Sequence, residues 1–214
     1  MKITWLGHSC FLIEGEAGRI LTDPYDKRVP YRPPNVEVDV VLVSHEHSDH
    51  NATDRVKGRP PVLRGAGEHQ AHGLAFRGIA SFHDEAGGAK RGPNTIFVFD
   101  LDGIRLAHLG DLGQPLTPAQ AAALRDVEVA FVPVGGFYTI DAEQAATLVR
   151  GLTQLRVVFP MHYKTDRLPI VFPIAPVDKF AERMENVRRI GAPQVTLTRA
   201  DLPESQEVWI LEYA

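Results

Sequence analysis

A chain of 214 residues with 44% hydrophobic and 23% charged side chains can bury one large core and has the composition of an ordinary soluble globular protein. Its net charge of −4, with no long basic run, argues against a dedicated nucleic-acid binder, which needs a basic stripe to displace counterions. The single cysteine, Cys10, excludes an internal disulfide and a cysteine-rich zinc site, so any metal must be held by nitrogen and oxygen.

No apolar run approaches the ~18 residues of a membrane span. His8 and Glu14 interrupt the N-terminal segment before a signal-peptide core can form. A cytoplasmic protein with no membrane partner is the expectation.

In chain order, KITWL, CFLIE and RILTD read as short strands, the last two separated by the turn-like GEAG. Cys10, inside the apolar run CFLI, reads as a buried, inert thiol. Residues 24–37 are rich in proline and charge and read as a loop, and DVVLVS then forms a buried strand. Residues 61–64, 76–82, 94–101 and 104–109 also read as strands, with a hairpin turn at Asp102-Gly103. The segment GEHQAHG is expected to be a short solvated helix carrying His69 and His72. His108 alternates with Leu106 and Ile104, as a satisfied core histidine does.

The second half alternates helix and strand. Thr117-Pro118-Ala119-Gln120 is a helix start with a Thr cap, Pro at the first position and Gln for a capping box. Asp141 and Gln144 repeat that start for a helix over 142–151. EVAFVPV and LRVVFP are the adjoining strands. An amphipathic helix is expected over 177–190, with Phe180, Met184 and Val187 on one face and Gly191 as its stop. With no linker, repeat or low-complexity segment, residues 1–214 read as a single domain of mixed strands and helices.

The chemistry concentrates in LVSHEHSDHN, residues 42–51, where His45, His47, Asp49 and His50 follow directly on an apolar run. Imidazoles and carboxylates are good ligands for zinc and similar ions. In an extended segment His45, His47 and Asp49 would point one way and His50 the other, so all four converge only if the chain turns after the strand. Further candidates sit just past other strands: Asp23 after RILT, His83 after IASF, Asp111 after LAHLG and His162 after VVFPM. Open α/β sheets place their sites at carboxyl strand ends.

This series, Asp23, His45-x-His47-x-Asp49-His50, His83, Asp111 and His162, resembles the five motifs of the metallo-β-lactamase superfamily, in the family's order. With GHSCFLI, ILTDP, SHEHSDHN, HDE, RGPN, GDLG and PMHYKT, it is most similar to the short bacterial branch of β-lactamase-like metal-dependent hydrolases, which includes the ascorbate 6-phosphate lactonase type. The resemblance implies an α/β fold, a four-layer αβ/βα sandwich with a dinuclear metal site at one edge. His45, His47 and His83 would bind the first metal and Asp49, His50 and His162 the second, with Asp111 bridging. Asp23 would fix the loop that carries the histidines. The cysteine that many true β-lactamases place at the second metal is absent, as are the added domains of nuclease and flavodoxin-linked members, which disfavours drug hydrolysis, RNA processing and redox activity.

The implied cofactors are two divalent transition metal ions, zinc first, with Mn2+, Fe2+ and Ni2+ as alternatives. Two metals roughly 3.5–4 Å apart would acidify a bridging water. The hydroxide would attack an ester, lactone or phosphoester, with Asp49 and Asp111 as catalytic carboxylates and Asp49 moving the proton. Arg91, Asn94, Tyr138, Tyr163, Lys164 and His8 are candidates to contact a small, anionic or hydroxylated substrate. A phosphodiesterase for a nucleotide or lipid-like diester is the alternative within enzymes, and a non-catalytic metal-binding protein the alternative outside them. Homo-oligomer formation is left open.

Overall fold

The structure, a computed structural model, describes residues 1–214. The chain opens with β1 (Lys2–Gly7), β2 (Cys10–Gly15), β3 (Gly18–Thr22), β4 (Val40–Val43) and β5 (Val62–Arg64). β1, β2 and β3 are antiparallel neighbours, and β4 and β5 then add in parallel to β3. A second sheet begins with β6 (Gly67–Ala71), β7 (Leu74–Phe82), β8 (Pro93–Leu101) and β9 (Ile104–His108), each antiparallel to the one before it. It continues through α1 (Pro118–Ala123), β10 (Val129–Pro133), α2 (Ala142–Gly151) and β11 (Val157–Met161), with β9, β10 and β11 parallel. After α3 (Asp178–Ala181) come β12 (Val187–Arg189), β13 (Gln194–Thr196) and β14 (Glu207–Ile210). β13 returns to β1, giving sheets ordered β13-β1-β2-β3-β4-β5 and β12-β14-β11-β10-β9-β8-β7-β6.

The alternation of side chains along each strand divides the apolar runs between two cores. Phe11, Ile13, Ile20, Val40 and Leu42 face the other sheet, where the Phe11 ring lies 4.4 Å from that of Phe131. Cys10, Leu12, Leu21, Val41 and Val43 face outward onto Tyr25, Val29, Tyr31, Leu168 and Ile174. Both faces of β2, β3 and β4 are therefore dry, which is why these strands read as unbroken hydrophobic runs. The sandwich thus has the expected layers, but loops rather than α-helices cover the six-stranded sheet. Cys10 is fully buried, and burial followed by the nearby Asp23 charge pushes its thiol well above the ordinary range.

Both predicted capping boxes form: Thr117 and Gln120 exchange hydrogen bonds at the start of α1, and Asp141 and Gln144 at the start of α2. Two expectations need correction. The helix over 177–190 ends at Ala181, and Val187–Arg189 instead forms β12 in parallel with β14. One buried position, Phe180, is too little apolar surface to hold a long helix, and the open edge of β14 offers backbone partners. GEHQAHG is a strand, not a helix: β6 pairs with β7 through a two-residue turn in which His72 and Gly73 have φ of 51° and 73°. Two positive φ values are the signature of a tight hairpin matching the strand twist. No helix is long and apolar enough to cross a membrane.

β1, β3 and β4 run in one direction within their sheet, as do β7, β9, β10 and β11 in theirs. Their carboxyl ends carry His8, Asp23, Ser44–His50, His83, Asp111 and His162. All these residues come together at one edge of the sandwich.

Candidate metal centre

The segment after β4 turns back on itself where the His50 N–H meets the His47 carbonyl at 2.9 Å. That turn resolves the alternation problem, bringing His50 to the same side as His45. Donor atoms of His45, His47 and His83 lie within 4.8 Å of one another, and so do those of His8, His50 and His162.

Asp111 sits between the two groups. Its Oδ2 is 3.1 Å from His162 Nε2, 3.2 Å from His83 Nε2, 3.3 Å from His50 Nε2 and 3.9 Å from His45 Nε2. The loop bearing it is set by Asn94, whose Oδ1 accepts the Asp111 N–H at 2.9 Å while its Nδ2 donates to Ser81 Oγ and the Leu109 carbonyl. Gly110 is required there: its φ is +55°, and a Cβ would stand 2.3 Å from Asn94 Oδ1 and 2.4 Å from Ser44 Cβ.

Hydrogen bonds on the far sides of the rings assign the tautomers. His50 Nδ1–H donates to Asp23 Oδ2 at 2.9 Å, and His83 Nδ1–H to the Tyr138 carbonyl at 3.0 Å. Ser44 Oγ donates to Asp23 Oδ2 at 2.7 Å, so it accepts from His45 Nδ1 at 2.9 Å. With Nδ1 so committed, each of these rings turns its Nε2 toward the Asp111 carboxylate, an arrangement stabilised by positive charge, whether a proton on the ring or a metal ion. Buried His45 Nε2 has no hydrogen-bond partner at all. The donor set therefore fits a divalent cation, with imidazole nitrogens and carboxylate oxygens converging in the absence of sulfur.

The local field agrees. Burial pushes His45 down to about 2, and the neighbouring His50 adds to that. Burial, then the charge of His162, lowers His8 to about 4. Burial alone would raise Asp111, but His162 and His50 outweigh it and hold the carboxyl well below its usual range. Burial would likewise lower His50, yet Asp111 and Asp23 on either side drive it well above. Three residues here hold left-handed backbone without being glycine: His8 at φ 54°, Asp23 at 38° and His162 at 51°. Such strain persists where the surroundings over-determine a site.

A cleft of about 450 Å³ opens over these groups. His47, Asp49 and Asp111 line it, and Val29, Pro30, Leu168 and Phe172 supply its apolar wall. The Arg91 guanidinium lines it 5.4 Å from the centre of the Tyr138 ring. Asp84 fixes the Arg91 loop by accepting the backbone N–H groups of Ala86, Gly88, Lys90 and Arg91. Arg28 also faces the cleft, with its charge paired to Asp26 at 2.7 Å.

Several candidates lie elsewhere. Asn94 is 1% exposed and serves Asp111 rather than the cleft. Tyr163 is buried with its ring 5.0 Å from Trp5. Lys164 donates to the carbonyls of Pro169, Ile170 and Phe172, so its ammonium holds a loop and does not line the cleft. His108 donates from Nε2 to the Ser9 carbonyl and accepts the Gly110 N–H, a satisfied core histidine. Arg28, Ser44 and Asp84 escaped the sequence reading. Of these, Asp84 carried a signal, an aspartate opening the glycine-containing loop EAGGAKRG.

A family profile described as Beta-lactamase superfamily domain matches residues 2–162. A UPF0173 metal-dependent hydrolase of Methanoculleus marisnigri is 32% identical over 189 residues, covering 77% of this chain and 82% of its own. The corresponding protein of Archaeoglobus fulgidus is 29% identical over 196 residues, covering 77% and 84%. A crystal structure from Thermotoga maritima, described as a Zn-dependent hydrolase of the metallo-β-lactamase superfamily, aligns with a TM-score of 0.83 and 38% identity over 100% of this chain and 99% of that one. The chain belongs to the metallo-β-lactamase superfamily, among its metal-dependent hydrolases.

Proposed function

We propose that the protein hydrolyses an ester, lactone or phosphoester bond in a small molecule carrying an anionic group, at a centre holding two divalent transition metals, zinc first among them. The observation that carries this is the approach of four imidazole Nε2 atoms to one buried carboxylate oxygen, Asp111 Oδ2, at 3.1 to 3.9 Å. His45, His47 and His83 would hold one ion, and Asp49, His50 and His162 the other, with Asp111 shared. When bound, such ions supply Lewis acidity and lower the pKa of water.

The remaining work falls to the chain itself. Asp49, its side chain 38% exposed, accepts a hydrogen bond from the attacking water and orients it. Arg91, which makes no ion pair and stacks on Tyr138, binds the substrate's anionic group. The wall of Val29, Leu168 and Phe172 takes the apolar body and excludes bulk water, which strengthens every charge interaction in the cleft. Asp23 keeps His50 and, through Ser44, His45 in the ligating tautomer.

A second reading, cleavage of a lipid-like diester, gains support from Ile170 and Val171, which are 96% and 89% exposed on the loop that carries Leu168 and Phe172. The deciding experiment loads the purified protein with Zn2+, Mn2+ or Co2+ and assays p-nitrophenyl esters, simple lactones and bis(p-nitrophenyl) phosphate. Turnover that is abolished by chelator and restored by metal is expected. Absence of turnover on every class, with metal content verified, would overturn the hydrolytic assignment.

A further inference from the structure

His8 is the one imidazole in the centre that the motif series leaves without a partner ion. We infer that His8 is a direct ligand of the second metal, joining Asp49, His50, His162 and the shared Asp111. The inference rests on the two-metal reading above and adds to it a residue outside the motif set.

The placement begins in the topology. β1 and β3 both pair antiparallel with β2, so they run in the same direction and end at the same edge. His8 follows β1 as Asp23 follows β3, and its position is not left to a loose turn. The Trp5 indole donates to the His8 carbonyl at 3.0 Å, and the His162 N–H to the same carbonyl at 3.2 Å. One ligand-bearing loop is thereby tied directly to the other. The φ of +54° at His8 is uncommon for a residue with a side chain and points to a position held for its ring.

The ring completes the geometry. His8 is 4% exposed, and its Nε2 lies 3.1 Å from His50 Nε2 and 3.2 Å from Asp49 Oδ2. Its ring centre is 4.5 Å from that of His162. Ligands each about 2.0–2.1 Å from one zinc ion stand roughly 2.8–3.4 Å apart at right to tetrahedral angles. Two edges of such a polyhedron are therefore already formed. His50 has committed its Nδ1–H to Asp23, which leaves its Nε2 facing His8 at 3.1 Å and Asp111 at 3.3 Å. A single Nε2–H on His8 can serve His50 or Asp49 well, not both, whereas a cation among the three atoms satisfies all of them.

Co2+ alone is the probe, because its paramagnetism shifts ring protons of ligating histidines far outside the normal NMR range. Wild type, His8→Asn and His8→Gly are titrated with Co2+ and compared at saturation. Asn tolerates the left-handed backbone and Gly adopts it freely, so both retain the turn. The expected result is that the first Co2+ binds unchanged while the second weakens about tenfold or more. At saturation the variants should lack one set of shifted imidazole signals, and added imidazole should restore the second affinity in His8→Gly. An unchanged number of shifted imidazole sets would overturn the inference even if affinity fell, since His8 would then only orient Asp49. Wild type saturating at one Co2+ would overturn the two-metal reading itself, before any variant is considered.

Discussion

His50 Nδ1 donates to Asp23 Oδ2 at 2.9 Å, and both residues are buried. The bond fixes which nitrogen of His50 faces Asp111, and Asp23 extends the same control to His45 through Ser44. Burial alone would raise Asp23, but the charge and hydrogen bond of His50 hold its carboxyl below the usual range. Asp23→Asn keeps the shape and tolerates the φ of 38°, yet it removes the charge and one acceptor. Metal affinity should fall by about 10–100-fold. Competition of the variant and wild type against a chelating dye measures this; equal affinities would sink the claim that Asp23 sets the tautomers.

Asp111 should behave more severely. Asp111→Asn replaces the oxygen that four imidazoles approach with a neutral amide. Loss of the second metal is expected, together with a fall in kcat of about 10³-fold, the scale on which removing an electrostatic partner of the reacting atoms is felt. Metal analysis and steady-state kinetics on whichever substrate the screen yields are the checks. Full turnover in the variant would refute the shared-carboxylate role.

Metal should also stabilise the fold, because the ligands are brought together only in the native state. A free metal concentration 100 times Kd adds about 2.7 kcal/mol per site. For a chain of this size that corresponds to a rise in Tm of about 5–10 °C per site. Calorimetric melts of chelated and metal-loaded protein test it, and identical curves for samples of verified metal content would show that the site is not coupled to folding.

The candidate ligands are legible because the strands announce themselves as apolar runs and the ligand types follow each run at its end. His83 and His162 gain meaning only together, as their neighbours along the chain do not distinguish them from loop histidines. Side-chain direction was harder to read. Tyr163 and Lys164 adjoin His162, but the left-handed φ of His162 turns the chain so that Tyr163 meets Trp5 and Lys164 reaches the loop beyond it. Arg28 was invisible for another reason: it lies in a proline-rich loop with no periodicity, and its place at the cleft depends on packing of that loop against β2, β3 and β4. His72 reads as helical in sequence because a histidine paired with glycine makes the same tight turn as Asn-Gly, without that pair's familiar signature.

Arg91 is the cleft arginine without a carboxylate partner, so it should carry selectivity for charge. Arg91→Gln keeps a hydrogen-bonding, though shorter, side chain and removes the cation. KM for an anionic substrate is expected to rise about tenfold or more, with kcat nearly constant and neutral esters unaffected, the pattern of an interaction made equally in ground and transition states. Comparing one anionic and one neutral substrate of the same scissile bond provides the measurement. An equal change for both would assign Arg91 to holding the loop that Asp84 organises rather than to binding charge.

Lys164 acts at a distance from the cleft. Its ammonium donates to the carbonyls of Ile170 and Phe172 at 2.9 and 2.8 Å and also to that of Pro169, closing the loop whose Leu168 and Phe172 form the apolar wall. Lys164→Met leaves those carbonyls to water and frees the loop, while the candidate ligand His162 two residues earlier stays anchored by its N–H to the His8 carbonyl. The metal content should therefore be unchanged. KM should rise with the length of the apolar part of the substrate, because the loosened wall no longer receives it, and Lys164→Arg should recover part of the loss by restoring donors. A series of p-nitrophenyl esters from acetate to hexanoate separates the possibilities. If the rise in KM is the same for every chain length, Lys164 does not act through the wall, and a change in metal stoichiometry would instead place its effect on the His162 loop.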